Sequence, residues 1–205
     1  MSEIQQNPAN AKQAVPENPQ LIGSFVSQFT MRDGTQVKLR PICSDDEPLM
    51  KQFHETLSDR TVYMRYFHSL SLKSRVTHER LVRICHMDGD REMALVVDCE
   101  DEATGLHLIL AVGRLVRLSA QDEAEVAILV SDRYQKQDLG IELLRRLVQI
   151  ARDQKLSRVR AVLLRDNLAM QNILQKLGFR FCLLPDSPSI TAILELRLPA
   201  ITPWQ

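Results

Sequence analysis

Residues 125–144 read EVAILVSDRYQKQDLGIELL. The first part, Glu125–Val130, is rich in Val, Leu and Ile and reads as a strand. Residues 134–140 form a polar loop, and a helix is predicted from Gly140 to about Asp153. Its apolar residues, Leu143, Leu144, Leu147, Val148 and Ala151, recur on one helical face. A strand that feeds a polar loop and then a helix N-terminus is a general anion-binding arrangement. The first helical turn has backbone N–H groups without internal partners, and a pyrophosphate can occupy them.

The pattern continues on both sides. Downstream, Arg158–Leu164 reads as a strand and Asn167–Leu177 as a helix stopped by Gly178. Two further strands follow at Phe179–Leu184 and Ile190–Leu196, with Pro185 and Pro188 between them. Upstream, Met93–Asp98 and Leu106–Leu118 read as strands joined by an Ala103-Thr104-Gly105 turn. With Glu125–Val130 they make an antiparallel meander. Ser24–Phe29 and Thr35–Arg40 flank Asp33-Gly34 and predict a hairpin. Between hairpin and meander lie helical spacings. Ser44-Asp45-Asp46-Glu47 opens a helix carrying Leu49, Met50, Phe53 and Leu57. Ser58-Asp59 opens another with Val62, Tyr63, Tyr66 and Phe67, and Thr77–Cys85 makes a third. Such a helical cluster would cover one side of the sheet and shape an entrance. The class is α/β (α+β), a mixed, mostly antiparallel central sheet flanked by helices.

The 205 residues suffice for one domain and a tail. Residues 1–20 are polar and carry Pro8, Pro16 and Pro19. They are expected to be a flexible tail, with residues 21–205 as the domain. The N-terminus lacks an apolar signal segment, and no stretch has the apolar length of a membrane span. The expectation is a soluble, cytoplasmic protein that engages neither membrane nor nucleic acid. The 26 basic residues balance the 26 acidic ones, so charge alone suggests no anionic partner, although a small basic cleft fits within that balance. Cys43, Cys85, Cys99 and Cys182 are scattered and read as buried, reduced thiols. The five histidines share no ligand spacing, so no metal is expected; they read as surface or helix-face residues.

Three motifs in order resemble the GNAT superfamily of N-acetyltransferases. Gln135-Lys136-Gln137-Asp138-Leu139-Gly140 is similar to that family's Q/R-x-x-G-x-G/A loop, with Asp138 in place of the first Gly. Asn167-Leu168-Ala169-Met170 through Gln175-Lys176-Leu177-Gly178-Phe179 is similar to its N-x-x-x … K-L-G-F junction. Leu39-Arg40-Pro41-Ile42, Asp45-Asp46-Glu47 and Tyr63-Met64-Arg65-Tyr66-Phe67 resemble the acetyltransferase domain of bacterial Pat-type protein-lysine acetyltransferases. The resemblance spans about residues 24 to 197.

It implies a GNAT fold and transfer of an acetyl group from acetyl-CoA to a primary amine, with protein lysine the favoured acceptor. The transfer would be a direct attack in a ternary complex. Alternatives are a non-catalytic ligand-sensing or partner-binding module that keeps the fold, and a small-molecule amine acetyltransferase. Glu125 would be the general base. A carboxylate on an apolar strand is partly desolvated, which suits a base working through a water; Glu123 and Glu142 are its rivals. A backbone N–H near Leu129–Val130, where the family's strand bulges and splays, would stabilise the developing oxyanion and pair with pantetheine. Gln135, Lys136, Gln137, Asp138, Leu139, Gly140 and Ile141 would cradle the pyrophosphate, with Gly140 allowing close backbone approach. Asn167 would contact CoA or cap its helix. Asp138 could instead cap the helix after the loop. Beside a pyrophosphate its charge would be repelled, by roughly 4 kcal/mol at about 4 Å and an effective dielectric of about 20; Lys136, Arg133 and Arg145 could offset this. The Tyr that many members carry on the second helix is Leu174 here.

Overall fold

The computed structural model describes residues 25–86, 91–101, 104–118, 122–183, 185 and 187–197. The expected tail, residues 1–20, lies outside them. Eight strands form one sheet: β1 Ser27–Thr30, β2 Gln36–Pro41, β3 Glu92–Glu100, β4 His107–Arg117, β5 Glu123–Val130, β6 Arg158–Leu164, β7 Arg180–Leu183 and β8 Ser189–Glu195. Their order is β1-β2-β3-β4-β5-β6-β8-β7. Every neighbouring pair is antiparallel except β5 and β6. The sheet is therefore mixed and mostly antiparallel, with helices on both faces.

The helices are α1 Glu47–Glu55, α2 Asp59–Tyr66, the single turn α3 Leu72–Arg75, α4 His78–Cys85, α5 Leu139–Asp153 and α6 Leu168–Lys176. The α3 turn has no counterpart in the sequence reading, because four residues carry no periodicity to detect. Ser44 does not cap α1. Residues 44–46 form a separate 3₁₀ turn, and the Asp46 carboxylate accepts from Arg40 at 2.7 and 2.8 Å and from the Cys43 N–H at 2.8 Å. Burial works against that charge, but these donors prevail and hold Asp46 below its ordinary pKa.

Period-two alternation divides each strand between two cores. Leu95, Val97, Ala124 and Val126 pack with Leu143, Leu144 and Leu147 of α5 and Leu174 of α6. Ala94, Val96, Val112 and Leu129 pack on the other face with Met50 and Phe53 of α1, Val62 of α2 and Leu81 of α4. Gly113 of β4 lets α5 lie against the sheet, since a Cβ there would come within 2.9 Å of the Leu147 Cδ1. Two sequence expectations change. Cys85 is buried, but Cys43 and Cys182 are exposed and Cys99 is intermediate, and none of the four is in a disulfide. His54 lies inside the second core at 1% exposure, not on a surface.

Candidate active site

The ladder between β5 and β6 is short. It pairs only Glu123, Ala124 and Glu125 with Arg158, Val159 and Arg160. Beyond that point the strands part. The β4–β5 ladder by contrast runs without a register shift from Arg117↔Ala124 to Ala111↔Val130, so the splay needs no bulge in β5. The one shift in this region falls between Val97 and Asp98, in the β3–β4 ladder. The Ser131 N–H donates to the Leu110 carbonyl and the Leu118 N–H to Glu123. Backbone groups alternate along a strand, so the odd-numbered β5 residues, Leu129 among them, bond toward β4. Val126, Ile128 and Val130 turn their N–H and C=O groups toward the gap. Of the two residues expected to offer an N–H, only Val130 has the right parity.

At the mouth of the gap sits the N-terminus of α5. The Glu142 N–H closes the first helical bond, to the Asp138 carbonyl. The N–H groups of Leu139, Gly140 and Ile141 precede it and have no intrahelical acceptor. Gly140 makes a close approach possible: a Cβ would come within 3.0 Å of the Ile128 Cδ1 and 3.2 Å of the Ile173 Cδ1, so both side-chain ends would have to give by a few tenths of an ångström. The absence of that Cβ seats the helix end directly over β5.

The loop before the helix is braced from two sides. The Gln137 Oε1 accepts from the Asp33 N–H at 3.2 Å. Arg32 grips Asp138 bidentately, Nε to Oδ2 at 2.5 Å and Nη2 to Oδ1 at 2.7 Å. Both brace points belong to the β1–β2 turn. On the other side Asp132 accepts from the Ser58 N–H, the Ser58 hydroxyl and the Thr61 hydroxyl at 2.8–2.9 Å, and Gln135 donates to Thr61. These bonds tie the loop to the start of α2. Asp138 occupies the N-cap position of α5 but makes no side-chain cap bond. Its φ is +64°, a left-handed conformation that Gly adopts freely and Asp tolerates. Lys136 shares that conformation at +64° and is exposed. Asp138 and Ile141 line a cavity of about 400 Å³ with Arg32, Arg145 and Lys176.

Glu125 stands where β5 and β6 begin to part. Its Oε2 accepts from Arg160 at 3.0 and 3.2 Å, and its side chain is 36% exposed. The carboxylate is thus ion-paired, and its surroundings are not simply apolar. Its parity places it with Ala127 and Leu129 on the α1–α2 side of the sheet. Register continues the row across that face: Glu92, Val116, Glu125 and Arg160 are successive neighbours. Of the rivals, Glu123 is buried against Arg158, and Glu142 is buried under Arg145 and Arg146. Leu174 is fully buried, so its position points into the core. The Asn167 carboxamide caps α6, accepting from the Met170 N–H at 3.1 Å.

Next to Ala127 and Leu129 opens a cleft of about 370 Å³ between the sheet and α1, α2 and α4. His54, Arg65, Tyr66, Arg80, Arg83, Glu92 and Arg114 supply its polar lining. Sequence reasoning named none of these as site residues, nor Arg32 or Arg160. Arg65 and Tyr66 lie in the Tyr63–Phe67 stretch of the resemblance, which assigned them no role, and the others are spread over several elements. Among the described residues no group of three or more His, Cys, Asp or Glu could hold a metal ion, and no helix is long and apolar enough to cross a membrane.

Comparison with known proteins bears on this arrangement. The model of a family described as an acetyltransferase (GNAT) domain matches residues 36–180. Acetyltransferase PA5475 of Pseudomonas aeruginosa is 26% identical over 150 residues, covering 73% of this chain and 78% of that protein. The GNAT domain of S. lividans PAT superposes with a TM-score of 0.74 at 25% identity, covering 84% of this chain and 98% of that one. Mycobacterium smegmatis RimJ, solved in complex with CoA-disulfide, shares the fold with a TM-score of 0.64 at 15% identity, covering 83% and 86%.

Proposed function

Because this chain belongs to the GNAT acetyltransferase family, we propose that it transfers an acetyl group from acetyl-CoA to a primary amine, with protein lysine as the favoured class of acceptor. The observation that carries this reading is the parting of β5 and β6 after Glu125, with the open N-terminus of α5 at one end of the gap. A likeness to the GNAT domain of a PAT protein supports the acceptor class.

The residues present fit the cofactor. The N–H groups of Leu139, Gly140 and Ile141 would hold its diphosphate, with Gln135, Lys136, Gln137 and Asp138 as the loop around it. Val130 would offer its N–H to the amide chain or to the thioester oxygen, and Ile128 has the same parity. Acetyl-CoA supplies an acyl group already activated as a thioester. Glu125, on the cleft side of the sheet, would take the proton from the amine through a water as the nitrogen attacks. The departing sulfur needs no strong acid, since a thiol has a pKa of about 8.5; the burial of Leu174 is compatible with that.

Thermal melting with acetyl-CoA tests the reading. A ligand at about 100 times its dissociation constant adds roughly 2.7 kcal/mol of stability. A clear rise in melting temperature, together with CoA release on adding lysine peptides, is expected. No shift at millimolar acetyl-CoA would sink it.

A further inference from the structure

The cleft beside β5 is basic although the whole chain is neutral. Arg65, Arg80, Arg83 and Arg114 line it, against one acid, Glu92. Glu92 is already engaged in an ion pair with Arg114. Arg65 and Arg80 have no carboxylate partner among the described residues; instead each guanidinium carbon lies 5.1 Å from the centroid of the Tyr66 ring. The Nε atoms of Arg80 and Arg114 are buried and make no hydrogen bond. Glu125 is close enough to act on Arg65 electrostatically, but it is itself held by Arg160. Cations kept in a half-enclosed cleft on an aromatic ring, with donors unused, carry a desolvation cost that Tyr66 and Glu125 offset only in part. An anion entering the cleft would offset it, and a guanidinium fork matches a carboxylate in shape and donor number.

We propose that the cleft selects an amine acceptor carrying a carboxylate beside its amine, and that Arg65 and Arg80 receive that carboxylate. This deepens the acetyltransferase reading and rests on it for the word acceptor. The same positive field has a second consequence. A like charge disfavours an ammonium, so an amine held there gives up its proton more readily than in water. A bare lysine side chain in a basic sequence would be repelled, whereas one flanked by acidic residues would be drawn in.

The carboxylate has two sources, acidic neighbours in a peptide or the α-carboxylate of a free amino acid, and paired probes separate them. A short lysine peptide with flanking glutamates is compared with its glutamine twin, and Nα-acetyl-lysine with its amide. Binding to the whole protein is measured by calorimetry without acetyl-CoA. One charged member should bind about tenfold or more tighter than its neutral twin, and the pair showing this names the source. The preference should collapse in Arg80→Gln and shrink with added salt. Equal binding of charged and neutral members in both pairs overturns the proposal, and that comparison needs only the unaltered protein. A preference that persists at full size in Arg80→Gln, with acetyl-CoA still raising its melting temperature, overturns the assignment to this cleft. Acetyl-CoA stabilisation and turnover without charge preference would leave the acetyltransferase reading standing alone. Charge preference without any response to acetyl-CoA would leave the cleft's selectivity standing and remove the catalytic reading.

Discussion

Arg32 and Asp138 lie 106 residues apart and meet through two hydrogen bonds of 2.5 and 2.7 Å. The Asp138 carboxylate is therefore paired with a cation from the β1–β2 turn. Both partners are well exposed, at 59% and 40%, so the pair matters less for stability than for the field at the α5 N-terminus. Arg32→Gln should unmask the Asp138 charge and weaken acetyl-CoA binding several-fold. Adding Asp138→Asn should recover most of that loss. Calorimetric dissociation constants at low and high salt check this. Equal affinity for the parent and Arg32→Gln at low salt would show that the carboxylate lies outside the reach of the diphosphate.

Asp138 also holds the backbone of a glycine without being one, at a φ of +64°. Asp138→Gly and Asp138→Ala both remove the ion pair, so the difference between them isolates the backbone. Alanine in the left-handed region costs about 1–2 kcal/mol, and glycine essentially nothing. The Gly variant should therefore be the more stable by about 1 kcal/mol in urea unfolding. Equal midpoints would mean that the loop relaxes out of the left-handed conformation in the Ala variant.

These two findings mark where sequence reading stops. Nearly every strand and helix was legible because apolar periodicity is local: the α5 stripe and the β3–β5 runs state their own geometry. The loop was legible only as a polar break between strand and helix, and its motif only through the resemblance to the GNAT family. The partner of Asp138 was not, since Arg32 sits in a hairpin turn whose sequence says only that the chain reverses. The convergence of the cleft arginines was invisible for a related reason. Arg65, Arg80 and Arg114 come from α2, α4 and β4, and a neutral total charge hides their convergence. His54 failed differently. It lies one position from Phe53 on a helix whose buried arc is wider than its apolar stripe, so polarity assigned it to solvent.

Glu125 ends the β5–β6 ladder in an ion pair with Arg160 at 3.0 Å. If it accepts the amine proton, Glu125→Gln removes the acceptor while keeping the side chain's shape. Turnover should fall by about 10²–10⁴, with acetyl-CoA affinity within about twofold of the parent, because the contacts proposed for the diphosphate and thioester are backbone groups elsewhere. Initial-rate kinetics and calorimetry on one preparation separate the two quantities. Unchanged turnover would move the base to another group, of which Glu92 in the cleft is the first to examine.

His54 makes stability depend on pH. Burial first, then the charges of Arg75 and Arg80, push its imidazole down to about 4, from 6.5 ordinarily, and neither ring nitrogen has a hydrogen-bond partner. Between those values the unfolded chain binds a proton that the folded one refuses. Stability is therefore complete above about pH 6.5 and declines as pH falls toward 4. Two and a half pH units correspond to about 3 kcal/mol. Urea unfolding at pH 7.0, 6.0, 5.0 and 4.5 should show most of this loss. His54→Leu should flatten the profile over that window, whatever its effect at pH 7. The Asp46 contribution cannot imitate the effect: its pKa is lowered, so its loss begins only below the ordinary carboxylate range. A parent profile that is level from pH 7.0 to 4.5 would mean that water or a ligand in the cleft lets the imidazole take its proton without unfolding the core around Phe53.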